Sequence, residues 1–140
     1  MDMHWTIYAF LSAIFAALVA VLGKIGLKDV DSTLATSIRS IVMAIFLVIV
    51  ALSLGKFSTI HSIGGKALTF IVFSGIAGAL SWIFYFFALK VGPTSGVSAV
   101  DKMSTVFVLV LAVLFLGESL TWLKALGAIA MTVGAVLMIW

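Results

Sequence analysis

Hydrophobic positions run almost unbroken through this chain, and its polar residues gather into a few short clusters that divide the runs. The clusters are Gly23–Ser32 (GKIGLKDVDS), Gly55–Lys66 (GKFSTIHSIGGK), a turn at Lys90, Gly92 and Pro93, and a very short break at Glu118 and Ser119. Between them the pattern predicts five helices, over about 4–24, 33–54, 67–89, 94–117 and 120–140. The third is the clearest membrane crossing. Its 23 residues, Ala67 to Leu89, carry no charge and are enough to span a hydrocarbon layer with some tilt.

Helical spacing sorts residues onto faces. Ala13, Ala16, Ala17 and Ala20 form a small-residue packing line in the first helix. Thr33, Thr36, Ser37 and Ser40 gather on one side of the second, and Ser74, Gly78, Ser81, Trp82 and Tyr85 on one side of the third. In the fifth helix, Gly127, Ala130 and Gly134 offer a seam for close helix packing or dimerisation. Trp122 and Trp140 would lie about 27 Å apart along that helix, near the spacing of the two interfacial aromatic belts.

Composition turns these runs into membrane spans. The 140 residues are 64% hydrophobic and 9% charged, and the mean hydropathy is +1.37, whereas soluble domains are about 25% charged. The expected fold class is an all-α integral membrane protein, a five-helix transmembrane bundle in one domain over 1–140. The net charge of +3, from eight basic and five acidic residues, is scattered singly, so no nucleic-acid partner is expected. With no cysteine, thiolate chemistry and zinc–thiolate sites are excluded. Asp2 and His4 precede the first apolar run where a secretory leader would carry Lys or Arg, so no signal peptide is expected.

The few ions inside the runs are the candidate chemistry. Asp101 and Lys102 stand together in the fourth run, and the residues from Met103 to Gly117 are uncharged. A helix beginning at Thr94 would carry Asp101 about 10 Å along its axis, where a charge costs up to about 2.5–3.5 kcal/mol at the bilayer centre. Arg39 interrupts the second run. Alternation of five spans brings Lys24, Arg39, Asp101 and Lys102 near one membrane face, from three helices that a compact bundle can gather around one vestibule. These four, with Ser37, Trp82 and Tyr85, are the candidate substrate- or ion-binding residues. A structural reading stands beside this one: Lys24 and Lys102 snorkel to headgroups, Asp101 satisfies a helix N-terminus or pairs with Arg39 or Lys102, and Trp82 and Tyr85 simply pack.

Catalysis is not expected. Gly96-Val97-Ser98-Ala99-Val100 lacks the second glycine of a nucleophile elbow. Gly65-Lys66 is followed by Ala67, with Ile60 where a phosphate loop needs its first glycine. His4 and His61 are isolated from each other in sequence, so neither a metal nor another cofactor is expected.

GKIGLKDVDSTLATSIRS after the first helix, SWIFYFFALKVG in the third, VSAVDKMS opening the fourth and LFLGESLTWLKALGAIAMTVGAVLM at the end resemble the EamA family of the drug/metabolite transporter superfamily. They resemble most its half-size, five-helix bacterial and archaeal members. The Asp101-Lys102 pair and the Leu116-Gly117-Glu118 break are the more specific pieces. The sequence departs from many relatives in having Ala99-Val100 where they have Pro-Ile, which implies a straighter helix entry. It also has Phe86-Phe87 where they often carry a basic residue.

The resemblance implies a small secondary transporter of the cell (inner or plasma) membrane, moving a small metabolite by alternating access. Full-length relatives combine two five-helix repeats of opposite orientation, so this chain is one inverted-repeat half, and two copies inserted in opposite senses would form an antiparallel homodimer. The loop lysines are consistent with such dual topology, with Lys56, Lys66 and Lys124 on one face against Lys28 and Lys90 on the other. The alternative is a non-transporting or lipid-flipping subunit that works with a partner protein. Three cations against one acid in the expected cluster favour an anionic or zwitterionic substrate.

Overall fold

The computed structural model describes residues 4–140. Asp2 lies outside the described residues, as does the side chain of His4. Six α-helices and one 3₁₀ helix occur among the described residues: α1 (His4–Gly26), α2 (Ser32–Ser53), a 3₁₀ helix (Lys56–Ser62), α3 (Gly65–Val91), α4 (Thr94–Asp101), α5 (Ser104–Leu116) and α6 (Trp122–Leu137). The expected five-helix count is therefore corrected. The fourth run is two helices, and the 3₁₀ helix lies in the polar Gly55–Gly64 connection.

Local chemistry explains each boundary. Asp31 caps α2, its carboxylate accepting from the amides of Thr33 at 2.9 Å and Leu34 at 3.0 Å, two of the donors that a helix start leaves unpaired. After α5, Gly117 adopts φ +69°, and the Glu118 amide reaches back to the Ala112 carbonyl at 3.2 Å. This left-handed closure is the physical content of the Leu-Gly-Glu break, since glycine alone takes that φ without steric cost. Thr121 caps α6 through its hydroxyl oxygen, which accepts from the Lys124 amide at 3.3 Å. α6 ends at Leu137, so Trp140 stands beyond the helix.

Residues 26–90 form one compact unit, and residues 4–25 with 91–140 form another. In the first, α2 leads into the 3₁₀ helix and α3 returns. Lys90 at the end of α3 donates to the carbonyls of Leu27 at 2.7 Å and Val30 at 2.6 Å, which lie just past the C-terminus of α1 where helix carbonyls lack partners. In the second, α6 packs against both α4 and α5. The approach at α4 is close: a Cβ added to Gly96 would stand 3.6 Å from the Met138 carbonyl.

The distribution of side chains is the reverse of a soluble core. Ala20, Ala99, Ala112 and Ala135 are among the few buried apolar residues, whereas Phe115, Trp122 and Leu123 are each more than 70% exposed. Such an apolar exterior is untenable in water and natural in lipid, where small residues let helices approach and large ones face acyl chains. Four segments, 5–26, 32–53, 65–91 and 94–116, are long and apolar enough to cross a membrane, and α6 is a shorter apolar helix.

Candidate functional site

The fourth span carries its charges at a discontinuity. α4 stops at Asp101 and α5 starts at Ser104. Between them the hydrogen bonds shorten from four residues to three: Met103 to Val100 at 2.9 Å, Thr105 to Lys102 at 3.1 Å and Val106 to Met103 at 2.9 Å. Lys102 and Met103 keep right-handed angles, so the chain tightens without turning away. A mid-helix 3₁₀ turn of this kind often marks a hinge or a site of strain. It forms here without proline, one residue after Val100. At the break, Lys102 Nζ lies 3.2 Å from Asp101 Oδ2, with both side chains partly accessible. Neighbours in sequence do not ordinarily face one another on a helix; the length of the lysine stem closes this pair. Lys24, in the same unit, donates to the Gly92 carbonyl at 2.9 Å, tying the end of α1 to the turn before α4.

Arg39 belongs to the other unit and is held differently. Its guanidinium carbon lies 3.6 Å from the centroid of the Trp82 ring and 5.7 Å from that of Phe86. Trp82 in turn meets Tyr85 edge-on at 5.5 Å and Phe86 at 5.9 Å. Nη1 of Arg39 is buried without a hydrogen-bond partner. Helical spacing puts Trp82 and Tyr85 on one face of α3 and Arg39 in α2, but does not reveal the stack between them. Phe86, buried and part of the same cluster, stands out in the sequence only as a departure from relatives. Its offset of four residues from Trp82 is the available signal.

The hydroxyl face of α2 is mostly occupied locally. Ser37 donates to the Thr33 carbonyl at 2.8 Å, Thr36 to Ser32 at 2.7 Å and Ser40 to Thr36 at 2.8 Å, the usual satisfaction of Ser and Thr inside a helix. In α6, a Cβ at Gly127 or Gly134 would meet nothing within 4 Å, and Ala130 is exposed. By helical spacing these three lie away from the side formed by Ala125, Ala128, Thr132 and Ala135, although Gly134 is itself half-buried.

One cleft was not expected as a binding site, although Gly127 of the expected packing seam is among its lining residues. Between α5 and α6 lies a space of about 330 Å³, lined by Val106, Leu109, Ala112, Ala128 and Met131 among others, with Thr105, Glu118 and Lys124 as its polar residues. Lys124 Nζ lies 3.2 Å from Glu118 Oε2 and also donates to the Ser119 carbonyl at 3.2 Å. In the sequence Glu118 reads as a turn residue and Lys124 as a loop charge. Their separation of six residues across a break hides the pairing.

Four helices of membrane-crossing length with an apolar exterior mark a multi-pass membrane protein. The chain belongs to the EamA-like transporter family, which matches residues 3–140. A protein of Sinorhizobium sp described as an uncharacterized transporter in the cobO 3' region is 38% identical over 138 residues, covering 99% of this chain and 98% of that protein. No solved structure matches.

Proposed function

We propose that this chain is a small secondary transporter of the cell membrane that moves a small metabolite by alternating access, working as an antiparallel homodimer. The observation that carries the reading is the fourth span, divided at its Asp101–Lys102 pair. Secondary transporters build substrate and ion sites from discontinuous helices near mid-membrane, where broken backbone supplies both a hinge and polar groups. Family membership supports the same reading. With α6 counted as a crossing there are five passes, an odd number that puts the termini on opposite faces, so two oppositely inserted copies supply the inverted pair that alternating access uses. The open space beside Gly134 of α6 suits association through small residues. In this mechanism Asp101 and Lys102 exchange their mutual pair for contacts with substrate or a coupling ion as the break flexes, and Lys24 holds the turn that precedes it.

The test is flux by the purified chain alone in proteoliposomes. Uptake of a screened small metabolite that is abolished by Asp101→Asn, with expression and folding retained, is the expected result. Normal uptake by that variant would remove Asp101 from the mechanism. The second reading, a lipid-handling subunit, is favoured by the α5–α6 cleft, whose apolar walls and Glu118–Lys124 pair suit an acyl chain and its headgroup. Copurification with a second membrane protein required for activity would support it.

A further inference from the structure

The charge on Arg39 is unanswered within its own surroundings. Among the described residues it forms no ion pair and no hydrogen bond, and Nη1 is enclosed without an acceptor. Its contacts are with rings, Trp82 at 3.6 Å and Phe86 at 5.7 Å. A ring face attracts the cation but accepts none of its five in-plane N–H hydrogens. Buried donors are otherwise almost always paired, and ionisable groups inside membrane spans sit where they meet a partner. The acid of that unit whose contacts are defined, Asp31, is committed to the amides of Thr33 and Leu34 at the start of α2. The hydroxyls nearest in sequence, on Thr36, Ser37 and Ser40, donate to α2 carbonyls.

We infer that Arg39 is the anchor for a small monocarboxylate with an apolar or aromatic body. Two coplanar carboxylate oxygens match the guanidinium fork. A single negative charge balances the single cation, whereas a phosphate dianion would leave an excess charge among rings. The half-buried Trp82 and Tyr85 supply apolar and edge contacts for the body of the ligand. Trp82 also holds the guanidinium in place, so the cost of ordering a long side chain is met before the ligand arrives. The inference deepens the transport reading and rests on it for its purpose, but binding is measured without flux.

The probe is benzoate, compared with benzamide and benzylamine, which keep the ring and replace the anion by a neutral amide or a cation. The protein is the full chain in detergent with Trp5, Trp122 and Trp140 changed to Phe, leaving Trp82 as the reporter. Benzoate should produce a saturable change in Trp82 fluorescence, and the other two should not. Arg39→Gln should weaken benzoate binding at least about ten-fold, or roughly 1.4 kcal/mol, and Arg39→Lys, which keeps the charge but loses the fork, should bind with intermediate affinity. If Arg39→Gln fails to fold, Arg39→Lys and the three-ligand comparison decide the matter. An equal response to benzamide, unchanged binding in a folded Arg39→Gln, or no response to benzoate overturns the site. Proteoliposomes separate the two readings: benzoate binding without flux of any solute leaves the site and removes transport, while flux of another solute without benzoate binding does the reverse.

Discussion

Asp31 and Lys90 show how single polar residues set the ends of apolar helices. The Asp31 carboxylate takes two amide donors at the start of α2, and Asp31→Ala should lower stability by about 1 kcal/mol, read as a lower unfolding midpoint in detergent with the helical signal retained. Lys90 answers two carbonyls beyond α1. Lys90→Met keeps the length of the stem and removes both donors, so a loss of about 1–3 kcal/mol is expected by the same measurement. An unchanged midpoint would mean that water satisfies those carbonyls equally well. Arg39 differs from both because no backbone or carboxylate group among the described residues answers it, which is why it carries a binding inference and they do not.

Among the elements, α4 and α5 have the most consequential relation. A continuous helix from Thr94 to Leu116 would have kept four-residue hydrogen bonds through Asp101; the three-residue bonds observed there instead place an ion pair at a natural flexing point. α6 is the second element with a decidable role. A side chain added at Gly134 has open space in the single chain, so Gly134→Leu should fold normally and shift detergent-purified protein from dimer toward monomer. An unchanged dimer fraction, by light scattering, would move the association surface elsewhere.

For the whole molecule, the decisive quantity is orientation. In the five-pass arrangement proposed above, Lys56 and Lys66, which flank the 3₁₀ connection, and Lys124 at the start of α6 nearly balance Lys28 and Lys90 on the opposite face, and the K/R bias of short loops is what sets insertion. Reporters active on only one side of the membrane, fused to the C-terminus, should therefore both give signal. Strong signal from one alone would sink the antiparallel dimer. Two lysines added beside Lys56 should then collect the C-termini on a single side.

What the sequence determined by itself follows from solvent and period. Long apolar runs have no stable alternative to a helix in lipid, because every backbone polar group must be satisfied internally, so Ala67–Leu89 was legible as a helix and α3 contains it. The Leu116-Gly117-Glu118 break was legible as a boundary for an equally local reason. Residue-by-residue reading could also place Asp101 beside Lys102. It could not show that the helix breaks there, since neither residue is a helix breaker and no proline marks the spot. Nor could it show Arg39 over Trp82, or Lys124 against Glu118. Those contacts depend on how faces of different helices, or segments either side of a turn, meet in space, and helical spacing gives each face without saying what it meets. Tertiary structure alone decided that the arginine would rest on rings and keep its hydrogen-bond donors unanswered.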